Sequence, residues 1–120
     1  MTIQECYNAI GGDFKDVMGR LRKEERVQKF ALKFLDDGSY RLLCDSLEAE
    51  NYSEAFRAAH TIKGVCQNLG FRQLFESVHE LTEELRAEQY SDRLPDMMEK
   101  VTKDYEQTVG ALIQYRDSNA

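Results

Sequence analysis

The spacing of the apolar residues constrains the fold of this chain more than any other feature. These residues recur at steps of three and four over almost the whole sequence, and no strictly alternating apolar run interrupts them. Such steps place side chains on one face of a helix with about 3.6 residues per turn, whereas a strand requires alternation. The chain also contains a single proline, Pro95. The pattern therefore predicts an all-α fold.

Glycine and small polar residues divide this pattern into successive helices. Two short helices are predicted before residue 22, and the charged run from Arg20 to Arg26 is either solvated surface or a break between helices. Longer helices are predicted over five further segments, which are residues 24–37, 39–51, 53–69, 71–88 and the stretch after Ser91-Asp92.

Helix caps and short connections predict how these segments pack. Ser39 and Ser53 are expected to cap the helices that they begin. Connections of only a few residues favour antiparallel neighbours. We predict a single domain over residues 1–120, in which residues 24–118 form an antiparallel four-helix bundle and residues 1–22 form short additional N-terminal helices packed on it.

Charge and composition exclude several classes of partner. The 22 acidic residues outnumber the 16 basic ones, and the formal charge of −6 disfavours binding to nucleic acid. No apolar stretch approaches the roughly 18 residues of a membrane span, and the first part of the chain lacks the apolar core of a signal peptide. The sequence predicts a cytoplasmic location and neither a nucleic-acid nor a membrane partner.

The cysteines give no indication of a disulfide or a metal site. Cys6, Cys44 and Cys66 are odd in number and widely separated, and none belongs to a CxxC pair. They are predicted to be reduced packing residues. We expect no metal and no cofactor in this chain.

The predicted helix of residues 53–69 carries two stripes of side chains. The first is typical of a helix packed in a core, and its members are Ala55, Ala59, Ile62, Cys66 and Leu69. The second, which we call the outer stripe, is displaced by about 100° around the axis and consists of Phe56, His60, Lys63, Gly64 and Gln67. Both stripes cannot face the same core, so the outer stripe is predicted to face solvent.

Three residues of the outer stripe have the chemistry needed to carry a phosphoryl group. Imidazole, with an ordinary pKa of about 6.5, offers an unprotonated nitrogen near neutral pH, and His60 is the predicted nucleophile. Lys63, one turn further on, is predicted to pair its ammonium with the phosphoryl oxygens. A glycine in mid-helix lowers stability by roughly 0.5–1 kcal/mol relative to alanine. Access of a partner protein to His60 would explain why Gly64 stands at this position.

The chain lacks the sequence motifs of an independent phosphoryl donor. It contains neither a GxxxxGK[ST] loop nor a kinase-type glycine-rich loop with its lysine. The metal and the second phosphoryl acceptor are therefore expected on a partner. This indicates a phosphoryl carrier and not an enzyme.

Residues 59–64, which read AHTIKG, and residues 68–70, which read NLG, resemble the signature of histidine phosphotransfer (HPt) domains of multistep two-component phosphorelays. The resemblance covers most of the chain after the N-terminal helices. It implies a four-helix bundle with His60 exposed midway along one helix, assisted by Lys63. The implied partner is a response-regulator receiver domain that supplies an aspartate and Mg²⁺, with a hybrid histidine kinase as a further partner. Predicted partner contacts are Phe56, Thr61, Gly64 and Gln67.

Two positions depart from the pattern of the family that the chain resembles. Gln67 stands where a small residue is often found, and Thr82 stands where several members have a Gln or Glu that hydrogen-bonds the histidine ring. Glu83 or Gln67 could take over that hydrogen bond. Phe56 is open to two interpretations, as a core residue or as part of an apolar docking patch.

Three other functions are compatible with parts of the sequence. The chain could dock receivers without transferring phosphate, or it could be the phosphoacceptor domain of a chemotaxis-type kinase. A metal or haem site formed by His60, His79 and Cys66 is the third alternative. It is disfavoured because Cys66 belongs to the core stripe, while His79 is expected to be a surface or partly buried residue.

Overall fold

The computed structural model describes residues 1–119 and is helical throughout, with no strand in that range. Its helices are α1 (Ile3–Ala9), α2 (Phe14–Leu21), α3 (Glu24–Lys33), α4 (Ser39–Glu48), α5 (Tyr52–Leu69), α6 (Arg72–Leu85) and α7 (Leu94–Ser118), and a 3₁₀ turn (Phe34–Asp36) follows α3. The predicted all-α class is confirmed. Within residues 1–119, every helix is too short or too polar to be a transmembrane span.

The four helices α4 to α7 form the bundle. Consecutive helices pack side by side and are joined by short connections, so each runs antiparallel to the one before it. Tyr40 of α4 closes the bundle against α7, because its ring stacks on Tyr105 with centroids 3.7 Å apart and its hydroxyl lies 2.9 Å from the Thr102 hydroxyl. Helix α5 therefore lies diagonally opposite α7, and α1 to α3 pack across one end.

The core contains the predicted core stripe of α5, which consists of Ala55, Ala59, Ile62, Cys66 and Leu69. All five of its members are buried, and Ala58 is buried beside them. Phe30, which falls on the apolar spacing of the predicted helix of residues 24–37, is nevertheless 39% exposed. Val27, Ala31 and Phe34 already fill the inward face of this segment, so Phe30 lies on the flank of α3, where the ammonium groups of Lys29 and Lys33 lie 6.0 and 5.4 Å from its ring centre.

Two helices begin earlier than their predicted caps imply: α5 before Ser53, and α4 at Ser39 itself. Asn51, and not Ser53, caps α5, because its side-chain oxygen accepts a hydrogen bond from the Glu54 N–H at 3.2 Å. Ser39 is the first residue of α4 and not its cap; its N–H donates to the Asp37 carboxylate at 2.8 Å. Asn and Asp side chains bond backbone N–H groups two or three residues ahead, which moves each helix start toward them.

The predicted limits of α6 were too wide by a few residues at its C-terminal end. The helix stops at Leu85 and not at Glu88. Glu88 has a φ of 55°, in the left-handed region, and its N–H donates to the Leu85 carbonyl at 2.8 Å. At the other end, Phe71 precedes the first turn as the capping residue and is buried.

The N-terminal segment covers the C-terminal end of α5. A helix leaves its last carbonyl groups without partners inside the helix. Here Tyr7 Oη, the Asp13 N–H and the Arg20 guanidinium donate to those carbonyls over distances of 2.6 to 3.2 Å. The four acceptors are the carbonyl oxygens of Gln67, Asn68, Leu69 and Gly70.

Gly70 makes this close approach possible. Its φ is 70°, and a Cβ at this position would lie 2.8 Å from the Asp13 carbonyl oxygen. Any larger residue would therefore be strained and would also push the N-terminal segment away. The buried side chains of Tyr7 and Val17 complete the contact.

Candidate functional site

The outer stripe of α5 lies on the surface, as predicted. His60 and Gln67 are exposed, and the other three members are partly buried. Because α5 is one continuous helix, residues at steps of three and four stand above one another along this face. The structure thus brings an imidazole, an ammonium and a position without a side chain onto one face.

Gly64 leaves open space on this face. A Cβ built on Gly64 would meet no atom within 4 Å, apart from the helix's own backbone. Gly12 shows the opposite case, because a Cβ there would lie 2.8 Å from the Tyr7 ring. Gly64 is therefore not required for packing inside this chain, and the space above it is available to a second molecule.

The C-terminal end of α6 places a charged pair beside the outer stripe, with Glu83 in its last turn and Arg86 directly after it. Nε and Nη2 of Arg86 donate to the two carboxylate oxygens of Glu83, each at 3.1 Å. The Arg86 guanidinium also lies 5.3 Å from the centre of the Phe56 ring. The Phe56 ring in turn lies nearly parallel to the imidazole of His60, with an angle of 9° and centroids 6.0 Å apart.

Several basic side chains lie close to the carboxylate of Glu83. Its pKa is lowered, first by the hydrogen bonds from Arg86 and then by the positive charges of Arg86, His79 and Lys63. The same pair raises the pKa of Arg86. Glu83 therefore stays ionised and lies close enough to Lys63 to interact with it through space.

The expected hydrogen bond to the His60 ring is not found. Within residues 1–119, neither Gln67 nor Glu83 bonds the imidazole, and Glu83 is bonded to Arg86 instead. Thr82 is fully buried and donates to the Val78 carbonyl at 2.7 Å, so it cannot take part. The ring contact that the structure does contain is the stack on Phe56.

The remaining predicted site residues have local roles. Thr61 is exposed, but its hydroxyl donates to the Arg57 carbonyl at 3.0 Å within α5. The Gln67 carbonyl accepts from Arg20 at 2.6 Å, which connects the outer stripe to the N-terminal segment. Both side chains remain accessible on the surface.

The alternative metal or haem site does not form. Cys66 is fully buried and burial raises the pKa of its thiol, whereas His60 is exposed on the other side of the helix. His79 is exposed on α6 and stacks on Phe75, with centroids 5.7 Å apart. In the part of the chain that the structure describes, no three His, Cys, Asp or Glu residues are grouped as metal ligands.

The contribution of Arg86 was not predicted from the sequence. The spacing of Glu83 and Arg86 is that of an ion pair within one helix. Their contact with Phe56 depends on how α6 is aligned against α5, which no spacing within α6 reveals. The sequence did contain one indication, because Arg86 follows Glu83, a candidate for orienting the His60 ring, by one helical turn.

Comparison with known proteins identifies one family. A family model described as Hpt domain matches residues 26–112. The match begins within α3, ends within α7 and includes the whole outer stripe. No curated protein and no solved structure gives a significant match.

Proposed function

Because this chain belongs to the Hpt domain family, we propose that it carries a phosphoryl group on His60 and exchanges it with the aspartate of response-regulator receiver domains. Hpt domains are phosphocarriers of two-component phosphorelays and interact with receiver domains. The observation that carries the assignment to His60 is its exposed ring, one turn before Lys63 and next to the open position at Gly64.

The transfer step requires little from this chain beyond His60. A lone pair on an unprotonated ring nitrogen attacks the phosphorus of the receiver's aspartyl phosphate. The nitrogen–phosphorus bond forms as the bond from phosphorus to the aspartyl oxygen breaks, and the aspartate leaves as a carboxylate. The reverse step returns the group to a second receiver. The receiver supplies the aspartate and the Mg²⁺.

Lys63 stabilises the transferred group without bonding to it covalently. Negative charge in phosphoryl transfer spreads over the equatorial oxygens. An ammonium at i+3 from His60 on the same face can reach those oxygens. The partial burial of Lys63 strengthens this interaction, because charges interact more strongly where less water surrounds them.

The chain's other proposed properties follow from its role as a carrier. ATP is used by the partner, a hybrid histidine kinase, since the sequence contains no nucleotide-binding loop. A cytoplasmic location is part of the same proposal. The open position at Gly64 and the exposed side chains of Thr61 and Gln67 form the surface on which the receiver docks.

The decisive test is phosphoryl transfer from charged receivers. Receiver domains of the source genome are phosphorylated with acetyl phosphate and Mg²⁺ and then mixed with this chain. We expect phosphate on the chain in an acid-labile, alkali-stable form, and its loss in His60→Gln. His79→Gln is the matched control, since it removes the other exposed histidine and should accept phosphate normally.

Two results would contradict the proposal. Equal phosphate acceptance by His60→Gln would assign the acceptor to another residue. Receiver binding by the unmodified chain without any transfer would favour the docking function instead.

A further inference from the structure

The ring of His60 has no hydrogen bond to hold its orientation within residues 1–119. An exposed side chain without such a bond samples several rotamers. Attack on phosphorus, however, requires a ring nitrogen aligned with the bond that breaks. A contact that limits the rotation of this imidazole before the receiver arrives would favour that alignment.

Phe56 makes the aromatic contact with that ring. The two planes differ by 9° and the centroids are 6.0 Å apart, which fits the offset stacking that aromatic pairs prefer. Phe56 is itself partly buried and packs against the core. It can therefore restrict the imidazole on one side while the other side stays open to solvent.

Arg86 holds Phe56 from the neighbouring helix. Its guanidinium lies 5.3 Å from the centre of the Phe56 ring, within the range of a cation–π contact. Two parallel hydrogen bonds to Glu83 restrict the plane of the guanidinium. The chain of contacts thus runs from the Glu83 carboxylate through two side chains to the imidazole.

A second pair in the molecule shows which part of this arrangement is distinctive. Phe75 and His79 on α6 also stack, with centroids 5.7 Å apart and an angle of 15°. Stacking at i,i+4 is therefore a common result of helix geometry. The cation–π contacts in the described part of the chain involve Phe30 and Phe56 and not Phe75.

We propose that Phe56 is a positioning residue for the His60 imidazole, held in place by Arg86, which Glu83 fixes. This inference rests on the proposed function, because it concerns the geometry of transfer to His60. It assigns Glu83 an indirect role, two contacts away from the ring, in place of a direct hydrogen bond. It also gives Phe56 a function beyond packing or docking.

The first test separates positioning from docking by single-turnover transfer from a phosphorylated receiver. In Phe56→Leu we expect the maximal rate to fall roughly three- to tenfold, at an unchanged half-saturating receiver concentration. Phe56→Tyr keeps the flat ring and should restore the rate. Phe75→Leu is the matched control and should transfer at the rate of the unmodified chain. A raised half-saturating concentration with an unchanged maximal rate would make Phe56 a docking residue and overturn the proposal.

The second test needs no receiver and no transfer. A phenyl ring stacked on an imidazole shields the imidazole's carbon-bound protons, which ¹H–¹³C NMR detects at His60. Arg86→Gln and Glu83→Gln should each move the His60 signals toward their positions in Phe56→Leu. Arg116→Gln, which removes an arginine bonded to Asp117 on α7, should leave them unchanged.

The two tests keep the two proposals distinguishable. If the unmodified chain fails to accept phosphate at His60, the proposed function is lost, while the NMR measurement still reports the ring contacts. If transfer occurs but the His60 signals in Arg86→Gln match those of the unmodified chain, the role of Arg86 is overturned. Thermal unfolding followed by circular dichroism identifies any variant that fails to fold, and the NMR comparison of Arg86→Gln with the unmodified chain then carries the test.

Discussion

Helices α5 and α6 lie side by side, and each carries an exposed histidine whose ring stacks on a phenylalanine one turn earlier. The pairs are Phe56–His60 and Phe75–His79, with centroid distances of 6.0 and 5.7 Å. The two helices differ in the turn that comes after the histidine. On α5 this turn contains an ammonium and an open position, whereas on α6 it contains a buried threonine and the carboxylate bonded to Arg86.

Under the proposed function, this difference is what would suit His60 and not His79 to phosphoryl transfer. Exposure and aromatic stacking occur in both helices, so neither identifies the site by itself. A cation one turn away and free space beside it occur only next to His60. An anionic group on His79 would instead lie near the negative charge of Glu83, which is unfavourable.

The largest effect is expected when α5 is made to resemble α6 by removing its cation. Lys63→Gln should slow transfer to His60 by about 100-fold, because one charged contact to the transferred group is lost in the transition state. The half-saturating receiver concentration should change much less. Single-turnover kinetics measure both. Lys103→Gln removes the same charge from an exposed site on α7, and an equal loss in that variant would refute the local role of Lys63.

The two helices also differ at their C-terminal ends. A substitution there is expected to change stability, by less than Lys63→Gln changes the transfer rate. The end of α5 is held by side chains from the N-terminal segment, whereas α6 ends with bonds between neighbouring residues. Tyr7→Phe removes a buried donor to the Leu69 carbonyl and should lower the free energy of unfolding by about 1–3 kcal/mol. Urea unfolding measures this. Tyr90→Phe, at a mostly exposed site, should cause almost no change.

A further substitution fills the open position beside His60. Gly64→Ala should raise the free energy of unfolding by about 0.5–1 kcal/mol, because alanine is the better helix former and the added methyl meets no atom within 4 Å beyond the adjacent residues and the helix's own backbone. Transfer should nevertheless slow, since the methyl enters the space proposed for the docked receiver. Gly110→Ala, on α7, has the same free space and should stabilise equally without slowing transfer. Equal transfer rates in both variants would contradict the proposed docking surface.

The smallest expected effect concerns the carboxylate of Glu83. Its pKa is lowered in the folded state by Arg86, so the stabilisation that it provides is present above the ordinary carboxyl pKa and is lost as the pH falls through the lowered value. Glu83 is exposed to solvent, and the effect is correspondingly small. Urea unfolding of the unmodified chain and Glu83→Gln from pH 7 to pH 3 should show the difference vanish at low pH. In an Arg86→Gln background, most of this pH dependence should be absent.

The apolar pattern predicted the helices better than it predicted their ends. The core stripe of α5 was predicted correctly because its five residues, at steps of three and four, all lie on a single face of the helix. The starts of α4 and α5 were wrong because Asp37 accepts from the Ser39 N–H and Asn51 accepts from the Glu54 N–H, so each helix begins earlier than a serine cap would place it. The exposure of Phe30 shows that an apolar side chain on the flank of a helix can satisfy the same spacing as a core residue.

The features of the candidate site that depend on α5 alone could be predicted from the sequence. The features that depend on how α6 packs against α5 could not. The exposure of His60 follows from its position on α5 relative to the core stripe. The contact between Arg86 and Phe56 depends on the alignment of α6 against α5. That alignment results from the packing of many core side chains, and no short stretch of sequence encodes it.

The hydrogen bonds at the end of α5 have a consequence for dissecting this protein. The family match begins at residue 26, yet Tyr7, Asp13 and Arg20 satisfy the last carbonyl groups of the helix that carries His60. A fragment cut where similarity begins would expose those groups and the apolar surface beneath Val17. The region shared with relatives is thus smaller than the unit needed to keep the His60 helix intact, and any minimal or fused version should retain residues 1–23.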